Sequence, residues 1–211
     1  MSNAAPALQL LSMALALGAL PFVSGCTLCV LVAALRRLTM LDLRPGRYAY
    51  ISRESFRWAS YNALILLVRF TFMNFMRVTP LLPAFHRAMG AEIGPGVQIN
   101  TNVMADSCLL TIGSDSVIGG DVTLICHSAE RGELVLAPTR IGSRVTVGLM
   151  AVVLPGVEIG DGATVAAHSV VPKGTRIPPG ELWGGVPARR IRPAATSEEA
   201  GREGPEGREL R

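Results

Sequence analysis

From Ile141 to Ile177 an aliphatic residue occupies every sixth position: Ile141, Val147, Val153, Ile159, Val165, Val171 and Ile177. A spacing of six matches neither the 3.6 of a helix nor the alternation of a strand. It predicts a repeat architecture. The residue after each aliphatic is mostly small or turn-forming, as at Gly142, Gly148, Gly160, Ala166, Pro172 and Pro178. Four positions after each comes a second small or branched residue, in Val145, Ala151, Val157, Ala163, Ser169 and Thr175. Hexads of this kind suit a parallel β-solenoid, a mainly β fold. One hexad makes a short flat strand and a turn, and three make a triangular coil with the aliphatics inside. A single coil cannot hide its own core, so several must stack. A β-sandwich of short strands would not keep the six-residue spacing.

The ladder continues upstream in weaker form. Ile93 and Ile99 keep the period, and Ile112, Ile118 and Leu124 resume it after one extra residue. Leu124 and Ile141 lie seventeen apart, one short of three hexads, and the interval holds His127 to Thr139. That interval reads as a coil carrying an excursion loop.

The front of the chain follows another pattern. Residues 5–35 are almost wholly apolar and uncharged, long enough for a membrane helix. There is no basic leading region and no short apolar core with a small-residue cleavage site, so a cleaved signal is the weaker reading. Pro21, Ser24 and Gly25 allow either one kinked, tilted helix or a re-entrant hairpin. Arg36, Arg37, Arg44, Arg47, Arg53 and Arg57 follow, against only Asp42 and Glu54. This excess of arginine places residues 36–58 on the cytoplasmic side. The second apolar stretch, Ala59 to Leu82, contains Arg69, Arg77, Asn62 and Asn74, costly inside a membrane. It reads as an interfacial helix with Trp58, Tyr61, Phe70, Phe72 and Phe75 dipped into lipid. A second span is the alternative, and would put the solenoid on the opposite side.

Composition adds boundaries. The 211 residues suffice for one domain and an appendage. They divide into an N-terminal membrane-spanning and interfacial helical region (1–87), a solenoid (88–192) and a tail (193–211). The tail is rich in Glu, Gly, Arg, Ala and Pro and is expected to be disordered. The net charge of +4 lies largely beside the apolar segments, which suits anionic lipid headgroups and gives no case for nucleic acid. Cys26 and Cys29 have CxxC spacing but sit within the apolar segment. Cys108 and Cys126 read as small buried hydrophobes.

Of the three histidines, His86, His127 and His168, His127 has the most informative position. It ends the hexad Val122-Thr-Leu-Ile-Cys-His127, where the repeat breaks. A flat solenoid wall has no pocket, but a loop leaving it can form one against a neighbouring subunit. An imidazole there suits a general base, because its ordinary pKa lies near working pH. No His, Cys, Asp and Glu spacing indicates a metal. His86, beside Arg87, reads as an interfacial residue.

The run Val122 to His127, a loop, Ile141-Gly-Ser-Arg-Val-Thr-Val-Gly148, Val153-Leu-Pro-Gly-Val-Glu-Ile-Gly-Asp-Gly162, Ser169-Val-Val-Pro-Lys-Gly174 and Gly185-Val-Pro-Ala-Arg189 resembles the hexapeptide-repeat acyltransferases. In order and spacing it resembles the galactoside and maltose O-acetyltransferases, over roughly residues 88–192. Upstream, Thr79-Pro-Leu-Leu-Pro83, Met89-Gly-Ala-Glu-Ile-Gly94 and Leu109-Leu-Thr-Ile-Gly113, followed by His127, Glu130 and Arg131, resemble the membrane-embedded terminal domains of poly-lysine-type non-ribosomal peptide synthetases. They also resemble envelope-polysaccharide acetyltransferases. On this reading the chain would be a stand-alone, single-solenoid relative, without the adenylation or carrier domain of the synthetases.

The resemblance implies a left-handed parallel β-helix that assembles as a homotrimer. Acetyl-CoA or another acyl-CoA is then the co-substrate, bound between subunits, with no permanent cofactor. It implies His127 as catalytic base, with Glu130 a candidate to orient the imidazole or the acceptor. Asn102 and Asp106 are candidates for holding acceptor hydroxyls. Gly148 and Ala167 match positions lining the pantetheine arm. Lys173, Arg189 and Arg192 match basic positions near the nucleotide phosphates, and Gly185 belongs to the same terminal motif. His168 replaces a usual glycine and stands where it would crowd or contact the donor, and Leu149 replaces a small polar residue.

The implied reaction is direct acyl transfer to a hydroxyl of a sugar, glycolipid or envelope-polysaccharide precursor at the bacterial inner membrane, with the solenoid on the cytoplasmic face. Backbone N–H groups would steady the oxyanion. An amide-forming relative with an amine acceptor and a non-catalytic trimeric scaffold remain alternatives. The zinc-type solenoid carbonic anhydrases need a histidine pattern that this chain lacks.

Overall fold

The structure is a computed structural model and describes residues 4–194; most of the expected tail therefore lies outside the described residues. The aliphatic ladder forms the inside of three parallel β-walls. One wall stacks Glu92–Ile93, Leu110–Ile112, Thr139–Ile141, Glu158–Ile159 and Arg176–Ile177. The second stacks Gln98–Ile99, Val117–Ile118, Thr146–Val147, Thr164–Val165 and Leu182–Gly185, and Ala188–Arg192 closes it antiparallel. The third stacks Thr123–Leu124, Val152–Val153 and Val170–Val171.

Register explains the hexad. Ile159 faces Ile141 and Ile177, Val147 faces Ile118 and Val165, and Val153 faces Leu124 and Val171. Each aliphatic is thus buried by its equivalents one coil above and below. All seven from Ile141 to Ile177 are buried. Val145, Ala151, Val157, Ala163 and Ser169 are buried too and fill the corners.

The corners carry a second ladder of the same period. Positive φ recurs at Arg144, Met150, Gly156, Gly162, His168, Gly174 and Gly180, three residues after each aliphatic. The left-handed region suits glycine, so His168 occupies a strained corner (φ 56°) with its side chain exposed.

The interruption is a β-hairpin. Ile112 stacks beneath Ile141, twenty-nine positions later, where the regular coils need eighteen. The extra residues form antiparallel strands His127–Glu130 and Glu133–Leu136. A third strand, Gly46–Ala49, pairs with Glu133–Leu136 from the N-terminal region.

That region is helical. Helix α1 (Ala4–Leu38) runs unbroken through Pro21, so no re-entrant hairpin forms. Among the described residues it is the one helix long and apolar enough to cross a membrane: Ala7–Leu38 has a mean hydropathy of 2.2 and is mostly exposed. Helix α2 (Arg53–Val68) starts at Ser52, whose hydroxyl accepts from the Ser55 N–H, a regular N-cap. The Ser55 hydroxyl donates to the Ala49 carbonyl at 2.8 Å, tying the helix start to the preceding strand. A wide turn, Arg69–Met73, leads to α3 (Asn74–Met76) and α4 (Leu81–Ala88).

The interfacial reading of this stretch needs correction. Tyr61 and Phe72 are buried in protein and Trp58 is half-buried, while Phe70 and Phe75 are exposed. The reason is close packing. A Cβ on Gly25 of α1 would fall 2.1 Å from the Phe72 ring, so only glycine lets the two segments meet. Tyr61 turns the other way and donates to the Met89 carbonyl at 2.6 Å. His86 is also fully buried and not interfacial.

Candidate active site

His127 opens the hairpin directly after Cys126, which is buried in the coil core. Its backbone is therefore anchored while its side chain leaves the wall, 27% exposed. Nδ1 of the imidazole lies 2.5 Å from Oδ2 of Asp106. Asp106 is 0% exposed and sits in the left-handed region (φ 55°, ψ 40°) before a short 3-10 turn, Ser107–Leu109. Aspartate tolerates that conformation better than most residues.

The buried carboxylate is fully partnered. Oδ2 also accepts from the Cys126 N–H at 3.1 Å. Oδ1 accepts from Trp58 Nε1 at 2.9 Å and from Asn62 Nδ2 at 2.7 Å. Four donors suit an ionised carboxylate, which only accepts. His127 must then carry its proton on Nδ1 to make the fourth bond, leaving the Nε2 lone pair to take a proton from elsewhere. The Trp58 ring meets the imidazole edge-on, centroids 4.8 Å apart at 64°, which limits its rotation. An imidazole held this way is equipped to deprotonate a hydroxyl or an amine.

Glu130 lies on the same hairpin but does not hold the imidazole. Its carboxylate is occupied by the Lys173 ammonium and by the Ser128 hydroxyl at 2.7 Å, and Arg47 lies 3.5 Å away. Lys173, then Ser128, hold its pKa down at about 2, so it stays anionic. The orienting position belongs to Asp106, which the sequence suggested for the acceptor. Asn102 donates to Asn74 Oδ1 at 2.7 Å, tying the solenoid to α3.

The residues matched to the acyl donor occupy one corner of the solenoid and its end. Gly148 lies against the Ala166–Ala167 peptide, with room for no side chain: a Cβ would fall 2.5 Å from the Ala167 nitrogen. Its own N–H is taken by the Val165 carbonyl. Ala167 and His168 are exposed beside it. One coil further, Gly185 donates from its N–H to the Ser169 hydroxyl at 3.2 Å. Arg189 and Arg192 are exposed on the closing strand, and Arg189 Nη1 donates to the Ala188 carbonyl. Lys173 stands apart from them on the Glu130 pair.

Two residues at the imidazole were not read from the sequence as part of the site. The apolar pattern points Trp58 to lipid and makes Asn62 only a cost to a membrane span. Their i, i+4 spacing on α2 was the available signal, since it puts both on one helix face.

Residues 138–173 match the family model described as bacterial transferase hexapeptide (six repeats). The chain is 31% identical over 168 residues to the delta-poly-L-ornithine synthetase of Acinetobacter baumannii, covering 77% of this chain and 12% of that protein. It is 35% identical over 116 residues to the galactoside O-acetyltransferase of Escherichia coli, covering 51% of this chain and 56% of that one. Among solved structures, a hexapeptide-repeat-containing acetyltransferase of Vibrio cholerae complexed with acetyl-coenzyme A superposes with a TM-score of 0.56. It is 24% identical and covers 73% of this chain and 96% of that chain. The chain thus spans an eighth to little over half of the two curated relatives, and the structural likeness carries the fold. Its β-walls form the left-handed hexapeptide-repeat helix, and residues 138–173 carry the repeats that the transferase hexapeptide model describes.

Proposed function

We propose that the protein is an acyltransferase that moves an acetyl group from acetyl-CoA to an acceptor hydroxyl on a sugar, glycolipid or envelope-polysaccharide precursor. The observation that carries this reading is the buried, four-donor Asp106 carboxylate holding His127 at the start of the hairpin. A structural histidine does not need so complete a counter-ion. His127 Nε2 takes the acceptor proton as the oxygen attacks the thioester carbonyl. The imidazolium, held by Asp106, returns that proton to the departing CoA sulfur as the tetrahedral intermediate collapses. The fold shared with an acetyl-CoA-bound structure supports the choice of donor.

Gly148, Ala167, His168 and Gly185 would line the donor arm, with Arg189 and Arg192 near its phosphates. The ammonium of Lys173, engaged by Glu130, would serve the hairpin first. Asn102 is then a remote acceptor contact. Val117, Leu149 and Met150 present exposed apolar side chains on the solenoid flank, which supports a homotrimer with donor sites between subunits. Helix α1 would anchor the trimer in the bacterial inner membrane. Arg36, Arg37 and Arg44 would then place the solenoid on the cytoplasmic face, where acetyl-CoA is found.

One observation favours an amine acceptor as a second reading. The match to the delta-poly-L-ornithine synthetase covers more of the chain than residues 88–211 hold, so it runs into the N-terminal helices. Purified protein should release free thiol from acetyl-CoA, and an aryl galactoside and L-ornithine as added acceptors separate the two readings by product mass. His127→Ala should lower turnover by about 10²- to 10⁴-fold, the usual contribution of a positioned general base. Unchanged turnover would overturn the assignment.

A further inference from the structure

We infer that the N-terminal helices are a working part of the active site, with Trp58 and Asn62 of α2 acting as positioning residues that fix Asp106 and, through it, His127. This inference rests on the reading of His127 as the base.

The three residues of the turn that presents Asp106 are each held from the N-terminal region. Asn62 grips Asp106 twice: its Nδ2 donates to Oδ1, and its Oδ1 accepts from the Asp106 N–H at 3.3 Å. Ser107 Oγ lies 2.8 Å from Nδ1 of the buried His86 of α4. The Cys108 N–H donates to the Tyr61 hydroxyl at 3.0 Å. Tyr61, Asn62 and Trp58 are neighbours on α2, so one helix face supplies four hydrogen bonds to this turn.

The solenoid alone supplies less. Within it, Asp106 is held through Oδ2 by Cys126 and His127. Both donors to Oδ1 come from α2. Without them Oδ1 would be a buried anionic oxygen with no partner, and the carboxylate would rotate or draw in water to satisfy it. Either change releases Nδ1 of His127 and lets the other tautomer form, whose Nε2 carries a proton and cannot act as base. The Trp58 ring adds a steric stop on the imidazole. Trp58 and Asn62 therefore act on the reaction without touching either substrate. An anchor that merely held the solenoid at a membrane would need neither.

The test compares Trp58→Phe, which keeps the ring and loses the N–H, with Asn62→Leu, which keeps the size and loses both polar atoms. Full-length protein is used, with thiol release from acetyl-CoA as one readout. The ¹⁵N resonances of the His127 ring, which report the tautomer, are the second. Each variant should lose on the order of tenfold or more in kcat, the worth of a charge-assisted hydrogen bond, with KM for acetyl-CoA unchanged. The ring should pass from one Nδ1-protonated tautomer to a mixture. Wild-type kcat together with an unchanged tautomer in both variants would overturn the inference. A rise in KM alone would also overturn it, by showing a binding role. If an inert His127→Ala accompanies unaffected Trp58 and Asn62 variants, the base stands and the positioning role falls. If His127→Ala turns over normally, the functional reading itself falls.

Discussion

At the scale of single residues, burial decides what each histidine does. His127 keeps contact with solvent and with a buried carboxylate. His86 is enclosed, with Nδ1 on Ser107 and no partner for Nε2 among the described residues. Burial pushes its pKa down to about 4, so it is neutral in the folded protein. The unfolded chain binds a proton at His86 below about pH 6.5 that the folded chain refuses until about pH 4. Stability contributed by this residue is therefore present above pH 6.5 and lost on acidification between 6.5 and 4, by roughly 3 kcal/mol. A falling melting temperature across that window, flattened in His86→Gln, is the expected result. An equal slope in the variant would assign the loss to other groups. The sequence showed three histidines and singled out His127 by its place at the break in the ladder. It did not show that Asp106 holds His127, because the partners lie 21 residues apart across an irregular coil, where no period reports contact. Glu130 was closer in sequence and had the right chemistry, but Lys173 approaches it from a later coil.

At the scale of elements, the regular parts were legible and the joins were not. A six-residue period shows in sequence because every aliphatic meets its own equivalents above and below. The second ladder, of left-handed corners, was hidden because Arg144, Met150 and His168 hold positions that glycine holds at four others. The hairpin was visible only as a break. Its third strand, Gly46–Ala49, is more than eighty residues away, and nothing local in either segment specifies that pairing. Two arginines in Ala59 to Leu82 spoke against a span in the sequence, but did not show how deeply Tyr61 and Phe72 are packed. The join between α1 and the following helices depends on Gly25. Gly25→Val should force the Phe72 ring aside and destabilise the protein by about 1–3 kcal/mol, the usual cost of overpacking. Detergent-solubilised protein should then melt at lower temperature, whereas an unchanged melting point would mean that the two segments are free to part.

At the scale of the whole molecule, the N-terminal and solenoid regions meet along a continuous buried core. That core runs from Val32 of α1 through Tyr61, Met73 and Leu82 to Met104, Leu124 and the ladder. Under the proposed function, α1 as an anchor joined so firmly to the Asp106 turn would present the acceptor at the membrane surface. It also makes topology testable. A cysteine reporter in the 193–211 tail should resist impermeant thiol reagents in intact cells and react after permeabilisation. Labelling in intact cells would place the solenoid on the other side and remove the case for acetyl-CoA. The fold was readable from repeat spacing, which survives without knowledge of tertiary contacts. The arrangement of the site was not, because two of the four donors to Asp106 come from α2, a segment whose apolar pattern points to the membrane interface.

The central claim is that His127, held by Asp106, is the base for acyl transfer from acetyl-CoA. The most direct measurement is kcat/KM for thiol release by wild type and His127→Ala at matched oligomeric state and melting temperature. The account predicts a loss of about 10²- to 10⁴-fold. A folded His127→Ala protein with wild-type kcat/KM would contradict it.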